Sequence, residues 1–265
     1  MARPSKIYMF LHVSIINDFQ RIFDEIISDT LASGLYDKLD SINIGINGGP
    51  KESLKNIPEK GVVVAHDLRL DTYETPTLIR LQETCMNEEA TIIYVHSKNA
   101  SYTRPSGGLK WSRWIKFHGR EIHRRYMLYH MVYGHESALE RLEEYDTVGC
   151  DFRNEPENTS HYAGNFWWTT SRFVRALPLM SGPMFPISGP FGGHPRHYCE
   201  RWLLCYNNAE NDKPAPKIYC PFWGAGLRKK PHFANPLVGI DKSSFNTRMS
   251  HFHAEQLAGR FRKSL

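Results

Sequence analysis

The sequence predicts an α/β protein, a single domain with a central, mostly parallel sheet flanked by helices. Three observations predict it. Strand and helix signals alternate through residues 1–150 in a β-α-β-α-β order, which needs helical crossovers between neighbouring parallel strands. GVVVAHD (61–67) and ATIIYVHSK (90–98) are short, nearly continuous apolar runs, as strands covered on both faces are. Between the strands, apolar residues recur at helical spacing, so each helix has one stripe to bury.

Each element follows in order. KIYMFLHVSI (6–15) is rich in β-branched and aromatic residues and opens the sheet. In residues 17–39, Phe19, Ile22, Phe23, Ile26, Ile27, Leu31 and Leu35 share one helical face. Asn17 or Asp18 caps its start, and Gly34 marks where it ends or bends. SINIGING (41–48) alternates as a strand, and GVVVAHD follows as the third. ETPTLIRLQETCMNE (74–88) is helical with Pro76 in its first turn, and ATIIYVHSK is the fourth strand. Residues 109–144 read as helix, followed by the strand DTVGCDF (146–152), the strand GNFWWT (164–169) and a short helix, SRFVRAL (171–177). A Gly/Pro-rich connection over 178–195 is long enough for a lid or an acceptor wall. RHYCERWLLCY (196–206) is helical, and PKIYCPFW (216–223) is the last clear strand.

Charge divides the chain. Residues 224–265 carry Arg228, Lys229, Lys230, Lys242, Arg248, Arg260, Arg262 and Lys263 against only Asp241 and Glu255, whereas residues 1–223 are nearly neutral. The expected organisation is therefore a folded body over 1–223 and a basic tail over 224–265 that packs on the site or closes over it. A nucleic-acid binder more often spreads positive charge over its folded face, so no nucleic-acid partner is expected. A basic tail suits an anionic ligand, peripheral contact with a membrane surface, or plain solvation. The five cysteines are scattered, and the apolar N-terminal run is short and interrupted by His12 and Ser14. Reduced thiols and a cytoplasmic location are the expectation.

In a parallel α/β sheet, ligands bind outside the carboxyl ends of the strands. The residues there are His12, Ser14 and Asn17 after the first strand and Asn47, Gly48 and Gly49 after the second. His66 and Asp67 follow the third, His96, Ser97, Lys98 and Asn99 the fourth, and Asp151 the fifth. GINGGP lacks the spacing of a phosphate loop, and no G-x-S-x-G follows a strand. The pairs His194/His197 and His251/His253 have no complement for a structural zinc site. Taken singly, His96 and Asp67 have a plainer reading as strand-end caps, and Trp167 and Trp168 as core.

The combination is more specific. SGLYDKLDSINIGINGG, ETPTLIRLQETC, IIYVHSKNASY, LEEYDTVGCD and HYAGNFWWTTSRFVRALP occur in this order across residues 6–206. Together they resemble a family of small GT-A-type glycosyltransferases of bacteria and large algal DNA viruses, with YVHSK and GNFWW the most specific pieces. Asn99 departs from the glycine that the pattern usually has, and KWSRWIKF replaces its commoner Trp-Arg-Lys phrase.

The resemblance implies a GT-A-like fold and transfer of a sugar from a nucleotide-diphosphate-sugar donor to a hydroxyl of a glycan or glycoconjugate acceptor, with inversion. It implies donor binding by His12, Ser14, Asn17, Asp67, His96, Ser97 and Lys98. The diphosphate charge must be offset. The chain lacks the Asp-x-Asp pair of many such enzymes, so His96 with Asp67 and His253 would hold Mn²⁺ or Mg²⁺, or Lys98 with tail arginines would serve without metal. Gly164, Asn165, Trp167 and Trp168 would form the acceptor face, with one tryptophan stacked on a sugar ring and the other locking the strand into the core. Glu200 would be the general base and Asp151 the second candidate, raised in pKa by an apolar wall. The competing class is a carbohydrate- or nucleotide-sugar-binding module on the same fold without turnover.

Overall fold

A computed structural model describes residues 6–98, 100–101, 111–153, 160–180, 195–204, 216–220 and 238–239. The chain begins with β1 (Lys6–Ser14), α1 (Phe19–Ala32) and α2 (Leu35–Lys38), followed by β2 (Ser41–Asn47), β3 (Gly61–Asp67), α3 (Thr75–Asn87) and β4 (Ala90–His96). Next come α4 (Trp111–Val132), α5 (His135–Arg141), β5 (Thr147–Gly149), β6 (Phe152–Arg153), β7 (His161–Tyr162), β8 (Trp167–Thr170) and α6 (Ser171–Arg175). The last described elements are α7 (Pro195–Arg201), β9 (Ile218–Tyr219) and β10 (Val238–Gly239).

The main sheet has eight strands in the order β10-β9-β5-β8-β4-β1-β2-β3, and β6 pairs with β7 in a separate ribbon. Pairing is parallel everywhere in the main sheet except at β8, which runs antiparallel to both β4 and β5. The central, mostly parallel sheet flanked by helices is as the sequence predicts, but β3, expected to be covered on both faces, is the edge strand, with Val62 53% exposed. Alternation along β1 divides the core. Ile7, Met9, Leu11 and Val13 join one cluster with α1 and α4, while Tyr8 and Phe10 join a second with α3 and α6. Helices therefore cover both faces.

Local chemistry explains several boundaries. The expected helix over 17–39 breaks in two at Gly34, whose φ of 77° is a left-handed conformation that glycine adopts without strain. Leu31, expected on the buried stripe, is 53% exposed near the end of α1. Pro76 sits in the first turn of α3, where its missing N–H costs nothing. Thr170 caps α6, its Oγ1 accepting from Phe173 N–H. The expected strand over 164–169 is shorter, because Gly164 and Asn165 both have positive φ and form a turn before β8.

β1, β2 and β3 are laid down in one direction, and the chain then returns to the other side of β1 with β4. That reversal is a topological switch point, and the crevice beyond the carboxyl ends of β1 and β4 is where such sheets take ligands. Of the basic tail, only β10 is described. It adds a strand to the sheet beside β9, and whether the remainder closes over the site lies outside the described residues. Among the described residues no helix is long and apolar enough to cross a membrane, and Cys85, Cys150, Cys199 and Cys220 are buried.

Candidate functional site

Just beyond the carboxyl ends of β1 and β4 the two strands are joined by main-chain and hydroxyl contacts. Ser97 N–H donates to His12 O at 2.8 Å, and Ser14 N–H donates to Ser97 Oγ at 3.0 Å. Beneath this seam His12 is 1% exposed, with Nδ1 2.7 Å from Thr77 Oγ1 and Nε2 3.3 Å from Ser14 Oγ. Burial pushes its imidazole down to about 4, so it is neutral near pH 7. Gly45 makes this contact possible, since a Cβ there would overlap the Thr77 side chain. His12 thus supports the crevice and presents no face to a donor. This corrects the direct binding role expected for it.

Glu74 is the hub that the sequence did not single out. It occupies the position before the first turn of α3, without capping it through its side chain, and is 6% exposed. Its Oε2 accepts from Tyr94 Oη and from Asn165 Nδ2, each at 2.6 Å. Its Oε1 faces His96 Nδ1 at 3.7 Å. His96 donates from Nε2 to the Gly164 carbonyl at 2.7 Å, which leaves Nδ1 as the lone-pair nitrogen. Burial and then the nearby Lys98 charge push His96 down to about 3, while burial pushes the Glu74 carboxyl up. The arrangement is a neutral imidazole facing a carboxyl whose pKa lies above its ordinary value. Backbone strain marks the same place, because Tyr73, immediately before Glu74, has φ 49° and ψ −134°.

Lys98 follows β4 at this carboxyl edge of the sheet. A Cβ built on Gly164 would lie 3.0 Å from its Nζ and 2.6 Å from Met127 Sδ, so only glycine lets the turn approach this closely. The side chain is largely buried, yet its ammonium makes no hydrogen bond or ion pair with any described residue. Burial pushes Lys98 below its ordinary value, opposed by the carboxylates of Glu200, Glu74 and Asp151. A buried cation without a paired carboxylate is unfavourable unless a ligand supplies the anion.

Glu200 on α7 is ion-paired to Arg196 at 3.2 Å. Burial alone would raise its pKa, but Arg196 and Lys98 outweigh it and hold the carboxyl below the ordinary range. Asp151 follows β5 with a left-handed φ of 53°. It is bound by His123 Nε2 at 3.2 Å and Arg153 Nη2 at 3.4 Å, and these outweigh burial to depress it too. The expectation of raised base carboxylates is therefore corrected: Glu74 is the raised one, and the two candidates are held ionised.

The remaining predicted residues divide. Asn17, exposed and left-handed at φ 47°, reaches across the crevice from Nδ2 to Ser101 O at 3.1 Å. Asp67 lies at the end of β3, its carboxylate holding Arg69 at 3.1 Å. Three strand spacings separate β3 from β4, roughly 14 Å, so Asp67 and His96 cannot share one metal ion. His96 also has one nitrogen committed to Gly164 and the other turned to Glu74. Among the described residues no group of three His, Cys, Asp or Glu converges as a metal site, and His253 lies outside them. These residues do not fit the expected Mn²⁺ or Mg²⁺ site.

Neither tryptophan is a platform. Trp167 and Trp168 are both 0% exposed. Trp167 stacks on Tyr94 with centroids 4.9 Å apart and donates to Asn165 Oδ1 at 2.7 Å, whereas Trp168 enters the opposite core and donates to Met131 O at 3.0 Å. Their opposite orientation follows from strand alternation, but β8 is an interior strand with both faces covered. The acceptor role read for these indoles is corrected to core packing. Asn165 is likewise consumed, by Glu74, Trp167 and the Cys199 carbonyl at 3.2 Å. Of the missed residues, Glu74 looked like an ordinary helix-starting residue, and His123 was hidden in a long amphipathic helix. Comparison of the chain with family models, curated proteins and solved structures gave no match.

Proposed function

We propose that the protein is a GT-A-like glycosyltransferase, which moves a sugar from a nucleotide-diphosphate-sugar to a hydroxyl of a glycan or glycoconjugate with inversion. The observation that carries this reading is Lys98, a largely buried ammonium without a described partner at the carboxyl edge of the sheet, by the switch point. A diphosphate leaving group supplies the missing anion, and a fixed cation beside it stabilises the charge that develops as the glycosidic bond breaks. The order β3-β2-β1-β4, with its crevice beyond the carboxyl ends, supports a nucleotide ligand by analogy with doubly wound sheets. The reading needs no metal ligand from β3 or β4, and in it tail arginines would assist Lys98. It assigns the reaction to the cytoplasm.

The alternative is a nucleotide-sugar-binding module without turnover. It draws on Glu200, whose pairing with Arg196 and depressed pKa make it a weak base. A thermal-shift panel of nucleoside diphosphates and nucleotide sugars, each with EDTA and with Mn²⁺, tests the donor class. A ligand at a hundred times its Kd should stabilise the fold by about 2.7 kcal/mol. A shift that survives EDTA is expected. No shift with any donor would overturn both readings.

A further inference from the structure

We infer that His123, held by Asp151, is the general base that takes the proton from the attacking hydroxyl. The inference rests on the transferase reading of the same crevice. His123 lies on α4 and Asp151 just beyond β5, with His123 Nε2 3.2 Å from Asp151 Oδ2. The carboxylate is 8% exposed and the imidazole side chain 31%. Donation from Nε2 to Asp151 leaves Nδ1 as the lone-pair nitrogen, and no other described residue hydrogen-bonds to the ring. An imidazole fixed by a buried carboxylate, with its second nitrogen open, is an arrangement suited to proton abstraction.

The pair belongs to the Lys98 crevice through a chain of contacts. Ala163 N–H donates to Asp151 O at 2.9 Å, and the next residue, Gly164, is the one that packs against Lys98. From the other side, Met127 also packs against Gly164, and it lies one helical turn beyond His123 on the same face of α4. Asp151 holds its left-handed backbone at this junction, a strain that persists where surrounding structure over-determines it. The Glu200 carboxylate, already engaged by Arg196, then has no need to act as base.

The step balances without another reactant. The acceptor O–H gives its proton to His123 Nδ1, and its oxygen bonds to the anomeric carbon. The bond from that carbon to the donor diphosphate breaks, and the electron pair leaves on the diphosphate beside Lys98. His123 returns its proton to solvent before the next turnover.

The test uses the nucleotide sugar that gives the largest thermal shift, with water as the acceptor. Release of nucleoside diphosphate is followed for wild type, H123A, H123Q, D151N and E200Q, and binding of the nucleoside diphosphate alone is measured for each. Both His123 variants should bind within about threefold of wild type and turn over about 100-fold more slowly. Added imidazole should restore at least about tenfold in H123A and nothing in H123Q, because only the smaller side chain leaves room for a replacement base. If His123 merely ties α4 to β5, imidazole rescues nothing, and the inference fails. Loss of turnover in E200Q but not in H123A or H123Q would return the base to α7 and overturn it. Binding without turnover by wild type would overturn it in favour of the binding module. Failure of wild type to bind any donor would break the transferase reading itself.

Discussion

Two groups of buried charge among the described residues are built differently. Where α1 packs on α4, Arg124 is fully buried, yet it meets Glu25 at 2.8 Å and Glu121 at 3.1 Å. Arg21 and Arg125 complete the set by pairing with the same two carboxylates at 3.1 and 2.9 Å. Of the Arg124 nitrogens only Nη1 lacks a partner. At the carboxyl edge of the sheet, by contrast, Lys98 has carboxylates in its neighbourhood, but among the described residues none is paired with it. The first group satisfies itself and joins two helices. The second is left open on one side, which is what a site for an anion requires.

Several substitutions would sharpen or break this contrast. R124A strands Glu25 and Glu121 without their buried partner and should destabilise by about 3–5 kcal/mol in urea denaturation. K98M, which removes an uncompensated cation, should leave the midpoint unchanged or raise it. Equal losses in both variants would mean that the two groups do not differ in kind. W168A should cost about 3–5 kcal/mol, as deletion of a buried aromatic does. If the indole were instead a ligand platform, W168A would spare the midpoint and weaken only binding. G164A forces a Cβ toward Met127 and Lys98 in a backbone conformation with φ 118°, and should cost on the order of 1–3 kcal/mol.

The smallest effect concerns pH. Asp29, on α1, is pushed up to about 6, first by burial and then by Glu25, against Tyr133, Arg124 and Arg125. Because its folded pKa lies above its unfolded value, its protonation contributes stability below about pH 4 that is lost as pH rises through about 6. The D29N protein should show a flatter dependence of Tm over that window than wild type. An identical slope would remove Asp29 from the account.

The sheet was readable because apolar runs in β1, β2, β3 and β4 and the stripe of α1 each point to one solution, and the break at Gly34 was marked by the residue that needs it. The C-terminal strand signals were weaker: PKIYCPFW gives only a two-residue strand at Ile218–Tyr219. For the site, strand-end counting brought Ser14, Ser97, Lys98 and Asp151 to one edge. It could not distinguish groups that face a ligand from groups that hold them, as His12 shows, and Asn165 and the two tryptophans, read from the resemblance, proved to be buried and bonded within the core. Glu74 escaped notice for a related reason. Its importance comes from Tyr94 and Asn165, which are 20 and 91 residues away in the chain, and no local pattern encodes such a meeting. Gly45 in SINIGING was the one available signal, since a glycine inside a strand marks a close approach.

The most direct measurement is calorimetric titration, in EDTA, of the best-bound nucleoside diphosphate into wild type and K98M. The account predicts saturable binding to wild type and at least about 100-fold weaker binding to K98M, a difference of about 2.7 kcal/mol, with the K98M fold intact. Equal affinity in the two proteins would contradict it, because the unpaired ammonium would then have no anion to meet.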